Sequence, residues 1–129
     1  MRLLLDTSAL IWWADDVAHF DKVARETVEQ ADAVLFSIVS LWEIAIKPTI
    51  GKLSTDLGAL TAGLNGSGFE LLPITPAHCL TLLKLPLLHR DPFDRMLVAQ
   101  ALEGGPTLLT SDRTIPLYAG LGLAVVECG

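Results

Sequence analysis

The chain has 129 residues, a length that suits one domain around one core. Its formal charge of −6 excludes nucleic-acid binding through bulk positive charge, while leaving room for a site where bound cations draw in a phosphate. Hydrophobic residues make up 51% of the chain; with the glycines counted in, the apolar share exceeds the roughly 45–50% of an average soluble protein and predicts surface buried against other chains.

Arg2 to Leu5 is a short apolar run ending at Asp6, the pattern of a buried parallel strand. Asp6-Thr7-Ser8 offers caps for a helix through Trp13, and a second, amphipathic helix is predicted over Asp21 to Gln30, with Val23, Ala24, Thr27 and Val28 on one face. A second strand follows at Ala33 to Phe36. Ser37 and Ser40 lead into a third helix, Leu41 to Lys47, stopped near Pro48. Gly51-Lys52-Leu53 reads as a turn, Thr55 to Leu64 as a helix closing in Gly66-Ser67-Gly68, and Glu70 to Ile74 as a third strand. Thr75-Pro76 caps a helix through about Lys84, and Leu85 to His89 is a link. Thr107 to Thr110 and Leu123 to Val126 complete the strands. Apolar strands alternating with helices predict an α/β fold, a mostly parallel sheet of about five strands with helices on both faces. Neither a signal peptide nor a membrane-spanning run is expected. Cys79 and Cys128 fit no metal or redox spacing, and are expected reduced and buried in a cytoplasmic protein.

The stretch His89-Arg90-Asp91-Pro92-Phe93-Asp94-Arg95 opens the most apolar helix, with Asp91 as its cap and Pro92 as its first residue. That helix is predicted to be buried, and Asp94, in its first turn, stands above an apolar stripe of Leu97, Val98 and Ala101. A carboxylate there is costly unless something compensates it. Sites in such sheets form beyond the carboxyl ends of the strands. Asp6 ends the first strand, Asp112 follows the fourth, and Glu43 lies near the start of the helix after the second, so with Asp94 the four acids point to one edge. Singly, Asp6 reads as a helix cap, Asp112 as a turn residue, Glu43 as half of a Ser40–Glu43 capping box, and Asp94 as a dipole partner. Together they should repel one another, raising their folded-state pKa values on balance, and a hard divalent cation such as Mg²⁺ resolves the repulsion. Such an ion activates water and orients a phosphodiester. There is no zinc-type cluster, phosphate-binding glycine loop or Gly-x-Ser-x-Gly motif.

In chain order, Leu3-Leu4-Leu5-Asp6-Thr7-Ser8-Ala9-Leu10, then Ser40-Leu41-Trp42-Glu43-Ile44-Ala45-Ile46-Lys47 with Gly51-Lys52-Leu53, then His89 to Arg95, then Thr110-Ser111-Asp112 resemble the PIN-domain nucleases, and among them VapC-type toxins of prokaryotic toxin–antitoxin pairs. The Trp42-Glu43 and Asp91 to Arg95 segments carry most of the specificity. The resemblance covers essentially the whole chain and implies a PIN-like domain over residues 1–129. It implies Mg²⁺- or Mn²⁺-dependent endoribonuclease activity, with metal bound by Asp6, Glu43, Asp94 and Asp112. It also implies inhibition by a cognate antitoxin, frequent homodimers and toxin–antitoxin hetero-oligomers. Pro48 departs slightly from the pattern.

The expected mechanism is cleavage of RNA by water activated on a metal held chiefly by Asp6 and Asp94, with Glu43 and Asp112 completing the cluster. Thr7 or Ser8, and Ser111, are candidates to hold a metal water or phosphate oxygen, against the commoner role of capping. Arg95 is open between substrate contact and pairing with an acid. Arg90 and Lys47 are candidate phosphate contacts. His89 is read as a loop residue, His19 and His78 carry no signal, and Trp12-Trp13 is expected to be half core, half interface. The rival readings are a PIN-like module that binds RNA or protein without cutting and, more weakly, an aspartyl phosphotransferase or receiver.

Overall fold

The computed structural model describes residues 1–15, 20–47 and 57–128. The strands are β1 (Arg2–Leu5), β2 (Ala33–Ser37), β3 (Glu70–Leu72), β4 (Thr107–Thr110) and β5 (Val125–Glu127). The helices are α1 (Thr7–Asp15), α2 (Lys22–Gln30), α3 (Ile38–Ile46), α4 (Leu57–Gly66), α5 (Pro76–Lys84) and α6 (Pro92–Gly104), and a 3-10 helix spans Ile115–Leu121. The strands form one five-stranded sheet in the order β3-β2-β1-β4-β5. Every pairing is parallel, with Leu4 opposite Leu35 on one side and Leu108 on the other.

Side chains alternate across β1, so the sheet has a core on each face. Leu3, Leu5 and Phe36 pack with Ala9 and Leu10 of α1, Ala24 and Val28 of α2, and Leu64 of α4. Leu4 and Leu35 pack with Leu97, Val98 and Ala101 of α6 and with Ile115 and Tyr118 of the 3-10 helix. Helix α6 is buried along most of its length, as its composition predicts, and Asp91 caps it by accepting from the amides of Phe93 and Asp94. Gly105 ends it at φ 82°, a left-handed conformation that suits glycine. Among the described residues, no helix is long and apolar enough to cross a membrane.

Several local expectations shift. Helix α3 starts at Ile38 with Ser37 as its cap, so Ser40 lies inside the helix and forms no capping box with Glu43. The strand expected over Glu70 to Ile74 ends at Leu72, and the last strand is Val125–Glu127 rather than Leu123 to Val126. The 3-10 helix falls where the sequence shows no strong 3.6-residue apolar pattern and so predicts no element. Val23 is exposed, unlike its neighbours Ala24 and Val28 on α2. Cys79 is exposed on α5, because the buried face of that helix carries His78, whose Nδ1 accepts from the Thr75 amide in a capping box; only Cys128 is buried. Trp12 and Trp13 are both half-buried around Phe20, and Trp13 also meets Phe69, which bears out the core half of their expected role. The expected stop at Pro48, the Gly51-Lys52-Leu53 turn, the first residues of the fourth predicted helix and His19 lie outside the described residues.

Candidate functional site

The chain steps from β1 outward to β2 and β3, then returns to place β4 on the other side of β1. The connections therefore diverge at the carboxyl end of β1, the place where open α/β sheets form a crevice. Asp6 is the residue there. It is 3% exposed, and it caps α1: its Oδ1 accepts from the Ala9 amide at 2.8 Å. Its Oδ2 accepts from the Thr110 hydroxyl at 2.6 Å, tying the ends of β1 and β4 together. Burial still dominates, and pushes the Asp6 carboxyl up to about 6 against these hydrogen bonds.

Asp94 is carried by the first turn of α6, the helix that packs on the Leu4 face of the sheet. Burial first, then the negative charges of Asp91 and Asp6, push it up to about 7, with Glu43 adding to the same push. Glu43 sits on α3 and is 5% exposed. Its Oε2 accepts from Lys47 Nζ at 2.7 Å, while Oε1 is buried with no hydrogen-bond partner. Asp112 follows β4 and lies close enough to Asp6 for their charges to interact. Burial alone would raise the Asp112 carboxyl; hydrogen bonds from His89 and from the Thr114 amide outweigh it and hold the group below its ordinary value. The expectation of values raised on balance agrees with Asp6 and Asp94; Asp112 is the exception, because His89 and the Thr114 amide donate to it.

Three residues join the acids unannounced. His89 Nε2 lies 2.8 Å from Asp112 Oδ2 and 3.3 Å from Asp94 Oδ2. Asp91, read only as a cap, also pairs with Lys47 at 3.3 Å. Thr110 fixes Asp6 and, through the same hydroxyl, accepts from the Asp112 amide at 2.9 Å. The signal for His89 and Asp91 was their nearness to Asp94 in sequence; a buried hydroxyl at the last residue of a strand gave none.

The candidate substrate contacts divide. Lys47 is occupied by Glu43 and Asp91, and stands 4.8 Å above the Phe93 ring. Its pKa is raised, chiefly by the bond to Glu43. Thr7 is buried and donates to Ser40 Oγ at 3.0 Å, a bond that joins α1 to α3 beneath the acids. Ser8 is exposed, and Ser111 is half-buried with its amide bonded to Asp6. Arg95 donates from Nη2 to the Leu85 carbonyl at 3.3 Å and has no acid partner among the described residues. Arg90 is exposed at the rim and makes no hydrogen bond or ion pair among the described residues.

The donor set fits a hard divalent cation. Asp6, Glu43 and Asp94 converge in low exposure with too little positive charge to balance them, and Glu43 Oε1 is a buried anionic oxygen lacking any protein donor. Carboxylate oxygens are the ligands that Mg²⁺ and Mn²⁺ prefer.

The profile of the PIN domain family matches residues 3–121. Among curated proteins, the chain is similar to ribonuclease VapC22 of Mycobacterium tuberculosis, at 27% identity over 115 residues and 88% of each chain. Among solved structures, it superposes on a chain of VapBC-1 from nontypeable Haemophilus influenzae with a TM-score of 0.68, 19% identity and 98% of each chain covered. A chain of VapBC-5 from Mycobacterium tuberculosis, a member of the VapBC family of toxin–antitoxin systems, gives 0.66, 17% and 98% of each. These structural likenesses are likenesses of fold.

Proposed function

The chain belongs to the PIN-domain family, and from that premise we propose that it is a VapC-type toxin, an endoribonuclease that needs Mg²⁺ or Mn²⁺ and is restrained by a cognate antitoxin. The observation that carries the reading is the convergence of Asp6, Glu43, Asp94 and Asp112 at the divergence point of the sheet, with two of them raised towards neutrality and one buried oxygen unpartnered. The similarity to a curated ribonuclease supports the substrate class.

Asp6 and Asp94 would hold the cation most directly, with Glu43 and Asp112 beside them. The bound cation would supply the Lewis acidity that activates water and neutralises the phosphate. The chain's own part is to hold the ligands still. The Thr110 hydroxyl and the Ala9 amide fix both oxygens of Asp6, Lys47 fixes one oxygen of Glu43, and the Asp91 cap sets the first turn that carries Asp94. The amino end of α6 favours negative charge beside Asp94, where a phosphate would lie. Lys47 and Arg90 stand on that side as candidate phosphate contacts, whereas Thr7 and Arg95 are held in structural bonds.

The partner reading, an antitoxin and a second copy of the chain, draws support from apolar side chains left in solvent. Ile38, Trp42 and Ile46 lie one helical turn apart along α3 and are 36%, 55% and 53% exposed. Such a chain acts where its RNA is, and we place it in the cytoplasm. The decisive experiment is incubation of RNA with the purified chain in EDTA and then in Mg²⁺ or Mn²⁺. Cleavage that appears only with the cation supports the reading. Binding without cleavage in every condition returns the chain to a non-cutting PIN-like module. Light scattering at micromolar concentration tests assembly: a lone species of 13.9 kDa contradicts the homodimer.

A further inference from the structure

Proximity offers His89 as a third ligand beside Asp94 and Asp112, since the three place one potential ligand atom each within 4.8 Å of one another. The hydrogen bonds around the imidazole argue otherwise. The Asp91 amide donates to His89 Nδ1 at 3.0 Å, so Nδ1 presents a lone pair and carries no proton. The ring proton is then on Nε2, which donates to Asp112 Oδ2 at 2.8 Å with Asp94 Oδ2 at 3.3 Å. A nitrogen that carries a proton has no lone pair for a metal. Moving the proton to Nδ1 to free Nε2 would set two N–H groups, His89 and Asp91, against each other.

The ring is also held in place from behind. The His89 amide donates to the Tyr118 hydroxyl at 2.9 Å, and that hydroxyl donates in turn to the Pro86 carbonyl at 3.0 Å. Tyr118 is fully buried in the 3-10 helix, so the link before α6 is pinned to the core on one side of His89 and by the Asp91 cap on the other. The His89 side chain is 12% exposed and has little room to swing aside.

We propose that His89 is a positioning residue of the acid site, a fixed Nε2–H donor that orients Asp112 and steadies Asp94, and that the cation is held by oxygen ligands alone. This rests on the metal-dependent reading given above and names the chemistry of its ligand shell. Residues that orient metal ligands in this way typically carry about 10–100-fold of metal affinity.

The test measures Mn²⁺ directly, by electron paramagnetic resonance of the free ion and by the nitrogen modulation of the bound ion, on wild type, His89→Ala and His89→Gln. Glutamine keeps an N–H donor near the place of Nε2. Wild type is expected to bind Mn²⁺ with no imidazole nitrogen in its shell. His89→Ala should bind about 10–100-fold more weakly, with most of the loss restored in His89→Gln. A nitrogen signal in wild type that vanishes in His89→Gln makes His89 a ligand and overturns the inference without touching the metal-dependent reading. Equal affinity in wild type and a folded His89→Ala also overturns it, and the nitrogen measurement on wild type decides the matter if His89→Ala does not fold. If wild type binds no Mn²⁺, the metal-dependent reading fails and the inference falls with it.

Discussion

The four acids divide into two pairs that solve the same problem differently. Glu43 and Asp112 have compensation from the protein: Lys47 stands 2.7 Å from Glu43, and Asp112 accepts from His89 at 2.8 Å and from the Thr114 amide at 2.7 Å. Asp6 and Asp94 have partners too weak for their burial, His89 Nε2 lying 3.3 Å from Asp94 Oδ2. Asp6 has good hydrogen bonds, yet burial outweighs them; Asp94 has the charges of Asp91 and Asp6 against it. The difference teaches where a cation would contribute most. A ligand whose charge is already balanced gains less from a metal than one left unbalanced, so the demand is concentrated on the pair that joins β1 to α6.

The largest effect expected from breaking the unbalanced pair is on chemistry. Asp94→Asn keeps the shape of the side chain and removes its negative charge; under the proposed function it should lower Mn²⁺-dependent RNA cleavage by about 1,000-fold, on the scale of losing a positioned electrostatic group. A folded Asp94→Asn protein that cuts at the wild-type rate would remove Asp94 from the site.

Next comes stability against pH in EDTA. Asp6 and Asp94 have folded-state values of about 6 and about 7, above the unfolded range. Between about pH 4 and pH 7 the folded chain therefore binds more protons than the unfolded one, and stability falls as pH rises through this window and levels off above it. The loss should be on the order of 3 kcal/mol, allowing for coupling between the two acids. Asp112, held low, acts with the opposite sign below that window, and His78, which burial lowers, acts with the opposite sign inside it. The contribution of the acids is therefore read as the difference between wild type and Asp94→Asn. Denaturant unfolding across the window should show a clearly flatter profile for Asp94→Asn, with higher stability than wild type at neutral pH. Asp6→Asn should gain less, because an amide facing the Thr110 hydroxyl gives up the acceptor that receives its proton. A wild-type profile that falls no more steeply than that of Asp94→Asn would mean that the Asp94 carboxyl is not raised.

Much of this pair was legible in the chain. An apolar run ending at Asp6, and a cap, a proline and an acid at the start of an almost wholly apolar helix, are local patterns, and the fold places both where those patterns point. The compensating partners were not legible. Lys47 reaches Glu43 over one helical turn, but its second contact, with Asp91, spans 44 residues. Thr110 meets Asp6 across 104 residues, and Tyr118 pins the His89 link across about thirty. Those contacts depend on strand order, which periodicity does not encode. Buried Gln100 shows the same limit: it reads as a polar gap in an apolar helix, yet it accepts from Ser37 Oγ at 2.6 Å and donates to the Pro73 carbonyl at 3.3 Å, fixing α6 against the end of β2.

Loading the site with metal should erase most of the difference between the pairs. A divalent ion at a hundred times its dissociation constant adds about 2.7 kcal/mol to the folded state. For a chain of this length that is a melting rise on the order of 10 °C. Calorimetry at neutral pH in EDTA and then in Mn²⁺ measures it. Asp94→Asn should show a much smaller rise. If Mn²⁺ leaves the wild-type melt unchanged, and Asn at Asp6 destabilises the metal-free fold by more than about 1 kcal/mol, the capping bond to Ala9 is the main role of Asp6.

The smallest effect turns a balanced acid into an unbalanced one. Lys47→Met keeps an unbranched apolar stem and removes the ammonium from Glu43, from Asp91 and from the face of the Phe93 ring. The lysine is partly exposed, so the pair is screened and its loss should cost the metal-free fold only about 1 kcal/mol at pH 7. The informative quantity is the response to metal. Glu43 Oε1 already lacks a partner, and without Lys47 both oxygens of a buried carboxylate would be unpaired. If Glu43 faces the cation, Mn²⁺ should then stabilise Lys47→Met more than it stabilises wild type, by up to about the same 1 kcal/mol, because the ion replaces the missing charge. Melting both proteins in EDTA and in saturating Mn²⁺ gives that difference directly. An equal Mn²⁺ gain in the two would place Glu43 outside the ion's reach and leave it as the partner that orders Lys47 for a phosphate. A smaller gain in Lys47→Met would instead mean that the lysine helps to hold Glu43 in the position from which it reaches the metal.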